Sequence, residues 1–243
     1  MDNAWFEYKG RNSLDYGIKI ENDISFSSPE ADIEFVEVLG RDGELAINNN
    51  RLKGVNHRFP ITLSLPDNMT IDYAATKISE WLKNDIGWHP LRFSGSPDYE
   101  YIAICYEQFD VKETLKRFGK TVITFKLKPF KRRIDNKKIE LTNATTLINP
   151  ETRVAKPILR IEAVGDVIFK NNGKDWIKLK SVEDFITIDS GTMSVYKNGN
   201  PQFNKINATL SPMFPVLEKG ENTITWTGKV NKVEIDPRWE AVV

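Results

Sequence analysis

Apolar residues recur at every second position along most of this chain, and an apolar stripe of helical period occurs in one place only. That contrast argues against a helical bundle and against regularly alternating strands and helices. Phe59, Ile61, Leu63 and Leu65 alternate with Thr62 and Ser64, which predicts a strand with one buried face. Ile123, Phe125 and Leu127 alternate with Thr124, Lys126 and Lys128 and predict another. Between them Ile71, Ala74, Ala75, Ile78, Trp81 and Leu82 fall at i, i+3, i+4, i+7, i+10 and i+11. Asn68 or Thr70 can cap the start of this helix, and Gly87 follows its end. Trp81 lies on the stripe and reads as core. Flanked by strands, the helix is expected to pack on one face of an antiparallel sheet.

Turn residues divide the remainder. Leu39-Gly-Arg-Asp-Gly-Glu-Leu45 reads as a tight turn between two strands, with Asp42-Gly43 as a type I′ dipeptide. Lys126 to Lys138 holds seven basic residues and a proline and loses its periodicity, so the boundary or linker is placed between about 130 and 150. Beyond it, turn signals recur at Gly165-Asp166, Asn171-Asn172-Gly173, Ser190-Gly191, Asn198-Gly199, Lys219-Gly220 and Gly228-Lys229. The runs between them, such as Leu159–Ala163, Trp176–Leu179, Phe185–Asp189 and Thr223–Trp226, read as short strands of a β-sandwich. The expected fold class is mainly β: an α+β domain over 1–135, with one helix on an antiparallel sheet, then a β-sandwich over 136–243.

Little in the chain supports catalysis. Its 34 basic residues balance 34 acidic ones, so no net charge draws it to nucleic acid or to an anionic membrane. The basic stretch divides into the polar face of a strand and a solvated linker, so no sequence-specific nucleic-acid contact is expected. No apolar run is long enough to span a membrane, and no basic region followed by an apolar stretch opens the chain, which predicts synthesis in a cytoplasm. Cys105, the one cysteine, sits in an apolar strand and reads as a buried thiol. With only two histidines, no Cys pair, no His-x-x-x-His and no phosphate cradle, no catalytic residue, metal site or cofactor is assigned. A pair of remote carboxylates remains formally open for cell-wall hydrolysis, but nothing marks one pair above the rest. Trp176 points opposite to Ile177 and Leu179 and is the candidate for contact with a glycan or a partner; Trp226 shares a face with Ile224 and is assigned to the core.

The opening Trp5-Phe-Glu-Tyr-Lys-Gly-Arg-Asn-Ser-Leu-Asp-Tyr-Gly-Ile18, with its Ser-x-Asp-x-Gly-Ile element, resembles the start of the distal tail (Dit) proteins of long-tailed, non-contractile bacteriophages. Val38-Leu-Gly-Arg-Asp-Gly-Glu-Leu45 is similar to that family's Gly-Arg-Asp-Gly hairpin, with Leu39 where proline is common. Pro157-Ile-Leu-Arg-Ile161, Ile186-Thr-Ile-Asp189, Val195-Tyr196, Phe214 to Asn222 and Val233-Glu-Ile-Asp-Pro-Arg-Trp239 resemble its galectin-like sandwich. The resemblance thus runs over nearly the whole chain.

The resemblance implies a virion structural protein, phage or prophage encoded. Its N-terminal domains would form a hexameric ring at the tail tip, between the tail tube protein and a tail-associated, baseplate or receptor-binding protein. The sandwiches would project outward, as in a short member without inserted carbohydrate-binding modules. A closed ring needs heterologous contacts, which extended arms and sheet edges supply. Ser27, Ser28 and Pro29, in the polar stretch 24–32, and Arg41, Asp42 and Gly43 of the hairpin are the candidate subunit-interface residues. The alternative is a carbohydrate-binding module that recognises host cell-wall glycans, with Trp176 as its platform.

Overall fold

The computed structural model describes residues 4–21, 24–65, 69–115, 118–197, 200–204, 211 and 213–243. The chain divides into two compact units, Met1–Lys131 with Val242–Val243 and Arg132–Ala241. The protein is mainly β, as the alternation predicts.

In the first unit the strands are β1 (Phe6–Tyr8), β2 (Arg11–Asn12), β3 (Ile18–Ile20), β4 (Ala31–Glu37), β5 (Glu44–Leu52) and β6 (Val55–Ser64). Helix α1 (Ile71–Lys83) follows, then β7 (His89–Phe93), β8 (Tyr99–Ile104), β9 (Lys112–Leu115) and β10 (Phe118–Arg133). The main sheet runs β2-β1-β7-β8-β10-β6-β3, with β9 also on β10. Strands β6 and β10 form its long spine, antiparallel from Val55↔Leu127 to Ser64↔Phe118. Alternate residues of both enter one core: Phe59, Ile61 and Leu63 from β6, Ile123, Phe125 and Leu127 from β10.

The helix closes that core with the predicted stripe, burying Ile71, Ala74, Ile78, Trp81 and Leu82. Trp81 stacks on Phe6 and Tyr16 at centroid distances of 5.5 and 4.4 Å, and its indole N–H donates to the Tyr8 carbonyl at 3.0 Å. Thr70 is the cap, its hydroxyl accepting from the Tyr73 amide; Asn68 lies outside the described residues. At the other end the left-handed residue is Asp85 rather than Gly87. Lys9 reaches across from the β1–β2 turn and donates to the carbonyls of Asn84 (2.6 Å) and Asp85 (2.7 Å), so a cation satisfies groups that the helix leaves unpaired.

The second unit holds β11 (Ile139–Leu141), β12 (Thr145–Asn149), β13 (Ile158–Asn171), β14 (Lys174–Val182) and β15 (Phe185–Asp189). It continues with β16 (Ser194–Lys197), β17 (Asn200–Asn204) and β18 (Gly220–Asp236); the last strand, β19 (Glu240–Val242), pairs with β10 in the main sheet. The expected linker is therefore largely strand: β10 runs on to Arg133, and β11 and β12 both pair with β18. Its two arginines are engaged in ion pairs. Arg132 pairs with Glu240 at 3.1 Å, and Arg133 with Asp135 and Glu151 at 2.6 and 3.4 Å.

Strands β13 and β18 each serve two layers. The first half of β13 pairs with β15 and the second half with β14; β18 pairs with β12 at its start and β11 at its end. The predicted turns at Gly165-Asp166 and Gly228-Lys229 are instead bulges inside these long strands, where the register shifts between Val164 and Ile168. A Cβ at Gly228 would lie 2.5 Å from the Asp166 carbonyl oxygen, so the bend requires glycine there. Asn172-Gly173 is a true two-residue hairpin turn joining β13 to β14, with φ of 51° and 78°. The bent ladder closes on one core that includes Leu159, Ile161, Phe169, Ile177, Ile188, Val233 and Trp239.

Candidate assembly interface

Among the described residues, strands β4 and β5 pair only with each other and form a separate two-stranded ribbon. A two-stranded hairpin is at best marginally stable in water unless something covers it. This one carries apolar side chains on both faces. Phe35 and Ile33 lie opposite Ala46 and Asn48 on one face, and Val36 and Glu34 lie opposite Leu45 and Ile47 on the other. Most remain open: Phe35 is 61% exposed, and Leu39 at the tip is fully exposed. Among the described residues no other strand pairs with the outer edge of either.

The base of the ribbon is latched by polar contacts. Asp32 accepts from Arg51 and Glu30 from Lys53, and the Lys53 amide donates to the Glu30 carbonyl at 2.8 Å. The Arg51 hydrogen bond holds the Asp32 carboxyl below the usual carboxylate range. The tip differs from the expected type I′ turn at Asp42-Gly43. Residues 38–43 all lie between the strands, and the Arg41 amide donates to the Val38 carbonyl at 3.1 Å across Leu39-Gly40. Gly40 and Gly43 take positive φ while Asp42 does not, because a tip of this length places its reversal at Leu39-Gly40.

Before the ribbon, residues 24–30 run without regular structure across the first unit. Phe26 is 64% exposed, with its ring 5.9 Å from His57 and 6.1 Å from Phe93. Ser27 and Ser28 line a pocket of about 200 Å³ with Phe26, His57, Tyr101, Lys131 and Val243. His57 itself is buried against Phe59 and Phe93, and its Nε2 has no hydrogen-bond partner among the described residues. Burial pushes its pKa down to about 4, so the ring is neutral at neutral pH.

The structure therefore places Ser27 and Ser28 at one pocket, Pro29 half-buried beside the ribbon base, and Arg41, Asp42 and Gly43 exposed at the ribbon tip. These two groups lie at opposite ends of one protruding element. Sequence reasoning missed its apolar residues, Ile33, Phe35, Leu45 and Ile47, because alternation looks the same whether a face is covered by its own chain or by another. Trp176 lies in the second unit, half-buried against the core, and its indole N–H donates to the Val216 carbonyl at 2.8 Å. Trp226 packs on Phe169 at 5.6 Å and is also half-buried.

Chemistry-bearing groups are few. Cys105 is buried, which pushes its thiol up to about 11, away from the reactive thiolate. His89 Nε2 lies 3.2 Å from the Asp85 carbonyl oxygen, at the end of α1. Among the described residues no three His, Cys, Asp or Glu side chains gather as a metal site, and no helix is long and apolar enough to cross a membrane.

The chain matches no protein-family model and no curated protein. Among solved structures it is similar to the SPP1 Dit (gp 19.1) protein, described as a paradigm of the hub adsorption apparatus of phages infecting Gram-positive bacteria. The TM-score is 0.75 at 15% identity, over 97% of this chain and 99% of that one. The chain has the Dit fold. Two phage P2 baseplate structures in the activated conformation, with Ca and with Sr, also align at 9% identity. They cover 100% and 96% of this chain and 99% and 98% of theirs, with TM-scores of 0.47 and 0.48, so the fold assignment rests on SPP1 Dit. The Dit resemblance read from residues 5–18, 38–45 and 157–239 is thereby met at the level of fold.

Proposed function

We propose that this protein is a structural component of a phage or prophage tail, a distal tail hub that assembles as a hexameric ring. In this reading the ring joins the tail tube protein to a tail-associated, baseplate or receptor-binding protein. The protein is made in the host cytoplasm and works in the virion. It makes and breaks no bond.

The observation that carries the reading is the Dit fold over nearly the whole chain, shared with a protein described as an adsorption hub. The β4–β5 ribbon supplies a physical means. Apolar on both faces and open along both edges, it gains most when laid against another surface, and a second copy of the chain is the partner that closes a ring. Arg41, Asp42 and Gly43 at the tip and Ser27, Ser28 and Pro29 at the base would then lie at the two ends of each contact.

Negative-stain electron microscopy of the purified protein tests this. Six-fold particles with an axial opening are expected. A field of single, compact particles at concentrations well above those used for grids would contradict it.

A further inference from the structure

The solvent-facing side of the second unit's sheet carries a groove. Residues directly opposite one another on adjacent strands share a face, and here they fall into transverse rows. One row reads Glu140, Glu234, Arg160, Thr187, Tyr196 across β11, β18, β13, β15 and β16. The flanking row places Asp236 opposite Ile158. A hollow of about 380 Å³ lies along these rows, lined by Arg160, Phe185, Thr187, Tyr196, Glu234 and Asp236, together with Lys138 and Ile158. Neighbouring strands lie about 4.8 Å apart, so the four strands from β18 to β16 present a strip about 14 Å long.

The groove is already organised. Arg160 lies over the Phe185 ring at 4.1 Å and pairs with Glu162 at 3.0 Å, which fixes the plane of its guanidinium. Glu234 is held by Lys232 at 2.7 Å. That hydrogen bond keeps the Glu234 carboxyl below its usual range, an acceptor throughout neutral pH. Side chains so fixed lose little freedom when a ligand arrives.

Composition of the hollow selects the ligand. Lys138 and Arg160 balance Glu234 and Asp236, so neither an anion nor a cation is favoured overall. What remains is a mixture of charged acceptors, one forked donor, two hydroxyls and the Tyr196 ring, which suits a molecule with many hydroxyls and an apolar ring face. Along the row Glu234, Arg160 and Thr187 each strand is paired on both sides, so an added peptide strand has no edge to join there. The geometry points to a binding site for a neutral oligosaccharide, lying across β18, β13, β15 and β16 and reading hydroxyls through Arg160, Glu234 and Asp236, with Tyr196 as its aromatic wall.

Saturation-transfer difference NMR on the full chain tests the proposal and tolerates a large assembly. The probes are cellotetraose, maltotetraose and the tetramer of N-acetylglucosamine at millimolar concentration, with a sulfated disaccharide as anionic control. Transfer to ring protons of at least one neutral tetrasaccharide is expected. It should fall at least fivefold in Tyr196→Ala or in the near-isosteric Asp236→Asn, each checked for wild-type melting, and persist in Trp176→Ala. Silence with all three neutral probes overturns the proposal. So does transfer unchanged in both groove variants, loss in Trp176→Ala alone, or a stronger response to the sulfated disaccharide. Failure here leaves the ring reading intact, since no groove residue lies on the ribbon.

Discussion

Gly17 takes φ of +70°, and a Cβ there would lie 2.3 Å from the Ser64 carbonyl oxygen. It ends the short 3-10 turn Ser13–Tyr16, whose buried Ser13 accepts from the Phe6 amide, while Gly17 itself accepts from the Ser64 amide. The Ser-x-Asp-x-Gly element is thus a knot between β1, β3 and β6. Gly17→Ala must strain the backbone and move β6 together, and we expect a loss of about 2–4 kcal/mol in urea unfolding. His57 gives a pH signature. Its folded pKa of about 4 lies below the ordinary 6.5, so the unfolded chain takes up a proton between those values that the folded chain refuses. The stability of the neutral ring is complete above pH 6.5, declines as pH falls, and levels off below 4 after a loss of up to about 3 kcal/mol. Unfolding measured from pH 7 to 4 should show this slope, and His57→Phe should flatten it. Asp189 behaves oppositely in cause. Burial opposes its charge, but Arg238, at 2.8 and 3.2 Å, and the amides of Gly191 and Thr192 hold the carboxyl below its ordinary range. Arg238→Ala leaves that carboxylate nearly buried with only the Gly191 and Thr192 amides to balance its charge, and should cost about 3 kcal/mol in chemical denaturation.

At the scale of elements, the ribbon formed by β4 and β5 separates folding from assembly. Its apolar side chains are open to solvent in the protomer, so Phe35→Glu with Leu39→Asp should leave the melting temperature within a degree or two. The same double variant should reduce self-association at least tenfold by sedimentation velocity. How far such elements are legible in the sequence depends on what sets them. The helix and the β6–β10 spine follow from residue period alone, and Asn172-Gly173 fixes its hairpin through local backbone chemistry. Gly165 and Gly228 look like turns in sequence yet sit in bulges, because only pairing partners distant along the chain decide whether a glycine reverses a strand or bends it. The ribbon tip escaped for a similar reason: Asp42-Gly43 has the right composition, but the spacing to β4 moves the reversal to Leu39-Gly40. The saccharide groove was invisible, since Glu234, Arg160, Thr187 and Tyr196 come together only through three separate strand registers.

For the whole molecule, 34 positive and 34 negative charges leave no net repulsion between copies, and the ribbon offers apolar surface that the protomer does not cover. Both favour association. The chain shares the Dit fold over nearly its whole length, and in the proposed ring such an arm would have a use. Static light scattering on the purified chain over a hundredfold range of concentration weighs this account most directly. A mass six times the 27.9 kDa protomer, stable on dilution, is predicted. A mass of 27.9 kDa throughout would contradict it.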